Sequence, residues 1–386
     1  MEIAPCERLD IISAPSGWSC LCSDLTELIL SYLPIVSIVR ASSVCKFWRS
    51  VATRPSFAAR LSASKKPWFF LCGQNNVSCA NNQAFGYDPE IDEWIRLPAS
   101  LFPHISQVEN LVGSGGFFFT TSLSSHSSFC YAPVLRATWR QTQPLRFSRY
   151  SPLIGVFDGG GDGMEFKFIV VGGVQFFGGL VDIEDKLAVE IYDPRLGSWE
   201  LCPPLPSDFS QGSRLSSAVF KGQFFVYDVF SGFVSSFDLT AHEWSGVQTL
   251  RPPGVLFSFL VACKEQLVLA GLCSVVAPQG NSFNLWKVDQ QTMEFSEIAI
   301  MPQELLNCLI DSDEDSQFAC LKCVGHDDLV YVFNDSPYGV YPAYVCEIRG
   351  SATGCTWKKL PHLPPPVNRY HRMISFCSTV PLASVL

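Results

Sequence analysis

The feature that most constrains the fold is a repeat that runs through the last three hundred residues. Its clearest copies read AFGYDPEIDEWIRLP, VEIYDPRLGSWELCPPLP and VSSFDLTAHEWSGV, starting at Ala84, Val189 and Val234. Six copies place an aromatic residue six positions after a turn residue: Asp88 and Trp94, Pro133 and Trp139, Asp193 and Trp199, Asp238 and Trp244, Asp289 and Phe295, and Ser351 and Trp357. An apolar run, a polar turn and a second run that opens on an aromatic ring predict a β-hairpin in each copy.

Each hairpin is preceded by further apolar runs, for example FKFIVVGG at 166–173 and AVFKGQFFVYD at 218–228. Four strands per repeat are the content of one β-propeller blade. The six aromatic residues recur at a mean spacing of about 53 residues, close to the ~50-residue period of kelch repeats. Residues 67–380 therefore resemble an all-β, six-bladed kelch-type propeller, and Gly115-Gly116 and Gly172-Gly173 are the best copies of that family's double glycine.

The first blade shows only three strands after Pro67. The apolar segment RYHRMISFCSTV at 369–380 follows the last hairpin and has no hairpin of its own. An open propeller would expose an unpaired sheet edge. We therefore expect residues 369–380 to supply the missing strand and to close the ring.

The composition excludes several classes of protein. The chain of 386 residues is 47% hydrophobic and 16% charged, which suits a large core rather than disorder. No apolar run reaches the ~18–20 residues of a membrane helix, and the first residues do not resemble a secretory signal. Sixteen cysteines without a framework spacing predict reduced thiols in the cytoplasm or nucleus. We expect no cofactor and no metal, because Cys320-x-x-Cys323 has no second ligand pair at zinc spacing.

Residues 19–61 carry helical signals that the later chain lacks. Apolar residues from Leu25 to Leu33 recur three and four positions apart, and Pro34 ends the run. Asp24 with Glu27 resembles a capping box, while Ser37 and Ser43 are candidate caps, so three short helices are predicted. A bundle of this size cannot bury all of its apolar side chains, so part of its surface is expected to meet another element or chain.

The order L-x-x-D-L-x-x-x-I-L-x-x-L-P, followed by R-A-x-x-V-C-K-x-W-R, resembles an F-box. It departs from the family at Cys22, where proline is usual. An F-box followed by a kelch propeller resembles a large plant family, and the resemblance implies docking to the Skp-type adaptor of a cullin–RING ubiquitin ligase. The matching residues are Leu21, Asp24, Leu25, Ile29, Leu30, Leu33, Pro34, Arg40, Ala41, Val44, Cys45, Lys46, Trp48 and Arg49.

The resemblance points to a set of adaptor contacts. These are Leu21, Leu25, Leu30, Leu33, Pro34, Ile38, Val44, Cys45 and Trp48. The alternative is that these apolar residues form the core of the bundle itself, which we favour for Trp48, Leu28 and Val51. Residues 19–66 also carry a local positive charge, although the whole chain has a net charge of −9. This charge is expected to steer an acidic adaptor rather than to bind nucleic acid, which needs a broad cationic face.

A second site is expected on the propeller. Loops between second and third strands, such as 73–83, and loops between blades, such as 204–216, must emerge on one face, and binding sites favour such loops. Arginine forks suit carboxylate or phosphate. An acidic or phosphorylated segment of a protein substrate is therefore expected to bind a ring formed by Arg149, Tyr150, Arg214, Phe257, Arg369 and Tyr370. The alternative is that these arginines bind carbonyl groups at blade edges.

Together these features predict a non-catalytic substrate receptor of an SCF-type ligase in the cytoplasm, the nucleus or both. The alternatives are a kelch scaffold protein outside the ubiquitin system and a propeller enzyme, although the six histidines show no paired spacing. No nucleic acid or membrane is expected as a partner. The expected divisions are a flexible segment at 1–18, the F-box-like domain at 19–61, a linker at 62–66, the propeller at 67–380 and a tail at 381–386.

Overall fold

The structure is a computed structural model that describes most of the chain. The described residues are 21–75, 77–102, 110–121, 129–135, 138–149, 151–159, 166–173, 187–209, 214–274, 280–310, 320–335, 342–348, 355–380 and 382. The chain divides into two compact units, Met1–Lys65 with Pro381–Leu386, and Lys66–Val380. Within the described ranges, no helix has the length and apolar character that crossing a membrane requires.

The first unit is a small helical bundle. Its helices are α1 (Ser23–Ser31), α2 (Ile35–Ser42), α3 (Lys46–Ala52) and α4 (Pro55–Ser64). The described part of this unit contains four helices, whereas the sequence predicted three. Pro55 opens α4 at a position where its fixed backbone angle suits a helix and its missing N–H costs nothing.

The helices begin at other residues than the capping signals indicated. Asp24 lies in the first turn of α1 instead of capping it, and Ser37 lies inside α2. The cap of α3 is Cys45, whose sulfur accepts the Trp48 N–H at 3.4 Å, and not Ser43. Glu27 does not complete a capping box; its carboxylate forms ion pairs with Arg54 and Arg60, which link α1 to α4.

The second unit is a β-propeller. Its strands over the first half are β1 (Trp68–Gln74), β2 (Gln83–Asp88), β3 (Glu93–Leu97), β4 (Asn110–Ser114), β5 (Phe117–Thr121), β6 (Phe129–Pro133), β7 (Arg140–Gln141), β8 (Leu153–Asp158), β9 (Phe166–Val171), β10 (Val189–Asp193) and β11 (Ser198–Cys202). The second half contains β12 (Leu215–Phe220), β13 (Gln223–Asp228), β14 (Phe233–Asp238), β15 (Gln248–Thr249), β16 (Val255–Ala262), β17 (Leu267–Ser274), β18 (Asn281–Val288), β19 (Phe295–Ile300), β20 (Leu321–His326), β21 (Leu329–Asn334), β22 (Ala343–Ile348), β23 (Cys355–Lys359) and β24 (Arg372–Ser378). A short helix, α5 (Gln303–Leu309), lies between β19 and β20.

These strands form six antiparallel sheets of four strands each, which confirms the predicted six-bladed propeller. Blade one has the order β24-β1-β2-β3, and β24 pairs with β1 from Trp68–Ser378 to Gln74–Arg372. The last strand of the chain, β24, is therefore the innermost strand of blade one, which begins the propeller. The six inner strands, β24, β4, β8, β12, β16 and β20, contact one another in turn around a closed ring.

Three of the predicted hairpins share one turn geometry. The side chains of Asp193, Asp238 and Asp289 accept hydrogen bonds from backbone N–H groups two and three residues later. The fourth residue after the Asp has a left-handed backbone: Gly197 (φ 66°), His242 (φ 57°) and Met293 (φ 56°). The aromatic residue follows two positions later. A local turn thus explains the constant spacing of six.

Three of the repeated tryptophans also join neighbouring blades through a hydrogen bond. Indole N–H groups of Trp94, Trp199 and Trp244 donate to the carbonyl oxygens of Pro361, Gln143 and Pro203, at 2.8, 2.8 and 3.0 Å. Each carbonyl follows the outer strand of the preceding blade. These tryptophans are half-buried. They therefore combine packing with a hydrogen bond between blades.

Candidate functional site

The helical unit exposes an apolar stripe on α1. Leu25, Leu28, Ile29 and Tyr32 are all exposed, and Tyr32 retains 79% of its accessible surface. They stand at i, i+3, i+4 and i+7, which places them on one side of a helix. The opposite side is buried through Thr26 and Leu30. The first helix therefore uses one side for the bundle core and presents a second apolar side to solvent.

Two further apolar side chains are exposed where α3 begins. Val44 is 69% exposed and Phe47 is also exposed, and α3 packs against α1. We call Leu25, Leu28, Ile29, Tyr32, Val44 and Phe47 the exposed apolar set. Large apolar side chains at this density in a short helical unit indicate a surface that binds another protein.

The predicted adaptor contacts divide by burial. Leu25, Val44 and Cys45 are exposed, and Leu21, Leu33, Pro34 and Trp48 are partly exposed. Leu30 and Ile38 are 1% and 0% exposed, so the expectation that they contribute to a surface is corrected. Leu30 lies on the buried side of α1, and Ile38 shares the buried side of α2 with Ile35.

The alternative that Trp48, Leu28 and Val51 form the core of the bundle holds for only part of this set. Val51 is buried, as that alternative expected, whereas Leu28 is exposed and Trp48 is half-buried. Sequence reasoning missed Leu28, Ile29, Tyr32 and Phe47 as surface groups. Their helical spacing was visible, but spacing alone does not tell which of two apolar stripes a helix turns inward.

The basic residues of the helical unit serve two purposes. Arg54 and Arg60 hold the carboxylate of Glu27, with 2.8 Å between Arg54 Nη1 and Glu27 Oε1, and these pairs lower the pKa of Glu27 despite its partial burial. Those two charges belong to the bundle. Arg40, Lys46 and Arg49 are exposed and form no ion pair with the described residues, so their charges face solvent.

The propeller has two unlike faces. Tight turns such as Gly115-Gly116 and Lys221-Gly222 lie on the side where inner strands end. The connections between second and third strands, and those between blades, leave on the other side, which we call the long-loop face; it also carries α5. Four exposed apolar side chains, the rim residues, lie in or beside these connections: Val77, Phe230, Leu256 and Val367.

Arg149 has a structural role, and the expectation that it contacts a substrate is corrected. Its side chain is fully buried, with Nη2 at 2.6 Å from Glu190 Oε2. Nη1 donates to the carbonyl oxygens of Gly172 and Ala188, at 2.7 and 2.8 Å. Burial lowers the pKa of Arg149, and Glu190 opposes that change. The carbonyl-binding alternative therefore describes this arginine.

Tyr370 is likewise a core residue. It is buried, and its hydroxyl donates to the side-chain oxygen of Gln83. Its ring lies against Gly73, where an added Cβ would overlap the ring, so only glycine allows this contact. The expectation that Tyr370 faces a substrate is corrected. Tyr150 lies outside the described residues, whereas Arg369 is exposed and Arg214 is partly exposed.

Phe257 is buried too, and the neighbouring Leu256 is exposed in its place. Val255 pairs with Cys273 and Phe257 with Leu272, so Leu256 is the extra residue of a β-bulge. A bulge turns the following side chains to the other side of the strand. The sequence Val255-Leu256-Phe257 shows no sign of this irregularity, and the expectation that Phe257 faces a substrate is corrected.

One group of side chains has the chemistry of metal ligands. Glu200, Cys202 and His242 bring their ligand atoms within 4.8 Å of one another. The Nδ1 atom of His242 lies 3.2 Å from Glu200 Oε1, and burial raises the pKa of Cys202 to about 12. Hydrogen bonding and core burial account for these positions, so we assign no metal to them.

Comparisons with known proteins agree with this architecture. A family model of the F-box domain matches residues 18–60. An F-box/kelch-repeat protein of Arabidopsis thaliana is 28% identical, covering 92% of this chain and 89% of its own. F-box only protein 6 and another F-box/kelch-repeat protein, both of Arabidopsis thaliana, are 23% and 22% identical over 77% and 72% of this chain. This chain spans 62% and 63% of their respective lengths.

Solved structures are more distant. A putative 6-phosphogluconolactonase from Bacteroides uniformis aligns at 10% identity over 81% of this chain and 100% of its own, with a TM-score of 0.43. That likeness carries no functional weight. The helical unit, the six blades and the sequence relatives agree: this chain carries an F-box domain at residues 18–60 and a six-bladed propeller, and it is similar over most of its length to plant F-box/kelch-repeat proteins.

Proposed function

We propose that this protein is a substrate receptor of an SCF-type ubiquitin ligase, acting in the cytoplasm, the nucleus or both. Residues 19–61 dock to a Skp-type adaptor, and residues 67–380 hold a protein substrate. The observation that carries the proposal is the outward apolar side of α1, formed by Leu25, Leu28, Ile29 and Tyr32. The F-box match and the F-box/kelch relatives support the same role.

The exposed apolar set suits a permanent partner. Burying one such side chain contributes about 1.5–3 kcal/mol, and every 1.4 kcal/mol changes a dissociation constant about tenfold. Arg40, Lys46 and Arg49 add a positive rim that attracts an acidic surface and raises the association rate. Docking of this kind needs no catalytic group.

The role of the propeller follows from proximity. A rigid ring that holds a substrate on its long-loop face raises the concentration of that substrate near the ubiquitin-loaded enzyme of the ligase. The rim residues Val77, Phe230, Leu256 and Val367 offer apolar contacts on that face. The ligase performs the chemistry, and the receptor supplies binding and orientation.

The test is a binding titration of the full chain with a purified Skp-type adaptor. A triple variant, Leu25→Ala with Leu28→Ala and Tyr32→Ala, is expected to lose at least a hundredfold in affinity, because three exposed anchors are removed together. The control is Leu196→Ala with Val77→Ala, two exposed apolar residues of the propeller, which should bind the adaptor as the wild type does.

The three substitutions lie on the surface, so the melting temperature is expected to stay within a few degrees. Unchanged affinity of the triple variant would contradict the adaptor-docking role. The scaffold interpretation outside the ubiquitin system would then be the better account.

A further inference from the structure

Two exposed apolar side chains lie where blades four and five meet. Phe230 stands in the connection between β13 and β14 of blade four, and Leu256 is the bulge residue at the start of β16 of blade five. They retain 49% and 44% of their accessible surface, and both lie on the long-loop face. The centre of the Phe230 ring lies 6.4 Å from that of Phe257, the buried neighbour of Leu256. The two exposed side chains therefore flank the same buried ring.

A defined turn presents Phe230 to solvent. The Oδ1 atom of Asp228 accepts the N–H groups of Phe230 and Ser231, at 3.0 and 3.2 Å. Gly232 has a φ of 79°, and its N–H donates to the Asp228 carbonyl at 2.9 Å. An aromatic ring on an ordered turn loses little conformational freedom when it binds a partner, so more of its contact energy is kept as affinity.

Hydrogen bonds hold this turn of blade four to the bulge strand of blade five. The Ser258 N–H on β16 donates to the Val229 carbonyl at 3.0 Å. The Tyr227 hydroxyl donates to the Leu250 carbonyl at 3.1 Å and is also hydrogen-bonded to the Ser258 hydroxyl. The turn and the bulge are thus fixed relative to each other. Bulges commonly redirect a side chain beside a functional site.

A guanidinium group lies next to this apolar pair. Arg251, in the link between blades four and five, is exposed, and its Nη2 donates to the carbonyl of Val255, the residue before Leu256, at 3.1 Å. Its Cβ is 2.9 Å from the position that a Cβ on Gly232 would take, so Arg251 also packs against the turn of Phe230. Arg251 forms no ion pair with a carboxylate of the described residues. The other N–H groups of its donor fork can therefore bind an anion.

The charge of Arg251 suits a carboxylate better than a phosphoryl group. One guanidinium matches the single charge and the planar shape of a carboxylate. A phosphoryl group carries about 1.5 to 2 negative charges at neutral pH, more than one guanidinium offsets. The chain itself has a net charge of −9, which disfavours the approach of additional negative charge.

We propose that Phe230, Arg251 and Leu256, which we call the blade seam, bind a peptide segment of the substrate that has an apolar side chain close in sequence to an aspartate or glutamate. The apolar side chain packs on Phe230 and Leu256, and the carboxylate accepts hydrogen bonds from Arg251. Aromatic residues and arginine are the usual energetic centres of protein interfaces. This inference rests on the proposed receptor function and names the class of its substrate segment.

The test is a binding titration of the full chain with four degenerate pools of short peptides. Three pools have a central leucine with one glutamate, one phosphoserine or one glutamine nearby, and the fourth has glutamate but serine in place of leucine. The Leu–Glu pool is expected to bind at least tenfold more tightly than the Leu–Gln and Ser–Glu pools, because each of those lacks one contact.

Two results would overturn the proposal. One is equal binding of the Leu–Glu pool and of either pool that lacks a contact. The other is tighter binding of the phosphoserine pool than of the Leu–Glu pool, because the seam would then select a phosphopeptide and not a carboxylate.

Variants assign each preference to its side chain. Phe230→Ala, Leu256→Ala and Arg251→Gln are each expected to weaken the Leu–Glu pool about tenfold. Arg251→Gln should abolish the preference for glutamate over glutamine and keep that for leucine over serine. Phe230→Ala should do the reverse. A general loss of structure would weaken all pools alike, and such a uniform loss in all three variants would contradict the assignment.

Matched controls lie elsewhere on the long-loop face. Val77→Ala and Arg369→Gln, at an exposed apolar residue and an exposed arginine, should leave all four pools unchanged. All five substitutions are at exposed positions, so the melting temperature is expected to stay within a few degrees. Loss of the Leu–Glu preference in the two controls, with none in the variants of the blade seam, would move the site away from the seam and refute the proposal.

The two proposals fail separately. Adaptor affinity is measured on the same variants and should not change, because every substitution lies in the propeller. A wild-type chain that selects the Leu–Glu pool but does not bind the adaptor would refute the ligase role alone. A chain that binds the adaptor but shows no preference among the pools would refute the blade-seam assignment alone.

Discussion

At the scale of single residues, backbone conformation sets a clear expectation at Gly222. It stands with Lys221 in the two-residue turn between β12 and β13, and both residues have positive φ, 77° and 47°. This is the geometry of a type I′ hairpin turn. An added Cβ would meet no atom within 4 Å, so any cost arises from the backbone angle alone.

We expect Gly222→Ala to lower the free energy of unfolding by about 1–2 kcal/mol, because a side chain is strained in the left-handed region. Gly246→Ala is the matched control: it also has open space around it, but its φ is not positive. Urea unfolding of both variants measures the difference. An equal effect at both positions would show that backbone strain is not the cause.

The buried ion pair of blade three predicts a much larger effect. Glu190→Gln leaves the charge of Arg149 without its carboxylate, and breaking a buried pair in this way costs about 3–5 kcal/mol. Lys358→Ala, which removes an exposed partner of Asp92, should cost less than about 1 kcal/mol. Thermal unfolding compares the two, and a small loss for Glu190→Gln would mean that Arg149 finds another partner.

At the scale of elements, α1 shows how one helix serves two surfaces. Leu30 packs inward, the stripe from Leu25 to Tyr32 faces solvent, and Glu27 ties the helix to α4 through Arg54 and Arg60. The pairing lowers the folded-state pKa of Glu27 below its ordinary value. Its stabilising effect is therefore complete above the ordinary glutamate range and is lost as the pH falls through the lowered pKa.

We expect hydrogen exchange in α1 to accelerate as the pH drops below about 4, the ordinary glutamate range, after correction for the intrinsic rate. The reason is that a protonated Glu27 no longer attracts the two guanidinium groups. In Glu27→Gln this additional step should disappear, while the exchange of β-strands in the propeller stays as in the wild type. A step of equal size in both proteins would assign the effect to another acid.

At the scale of the whole propeller, one strand closes the ring. The ring of Phe376 on β24 stacks on that of Phe70 in blade one, with 5.0 Å between the ring centres. Its centre lies 5.5 Å from that of the Phe118 ring in blade two. Without β24, the strand β1 would keep β2 on one side but would be unpaired on the other side along its whole length, from Trp68 to Gln74. A sheet edge would then be exposed in the centre of the ring.

A chain that ends after Asn368 is therefore expected to lose cooperative unfolding of the propeller. A synthetic peptide of residues 369–380 added in trans should restore it, and the same peptide with Phe376→Asp should not. Calorimetry reports the result. A truncated chain that unfolds as sharply as the wild type would show that β24 is dispensable for closure.

The sequence by itself determined what depends on local spacing. The Asp-initiated turn and the aromatic six positions later involve neighbouring residues only, so the hairpins, the number of blades and the segment for closure could be predicted. The order of residues in the F-box pattern was equally visible. The fourth helix and the caps were not, because several polar residues compete for each helix start.

Tertiary structure alone decided which side chains reach the surface. Arg149 is sealed because Glu190 lies on a later strand, Tyr370 because Gly73 makes room for it, and Leu256 is exposed because of a bulge. The partners Arg149 and Glu190, and likewise Gly73 and Tyr370, are far apart in the chain. Only folding of the propeller brings such residues together, since the partners of each side chain are set by packing between strands and not by its neighbours in sequence.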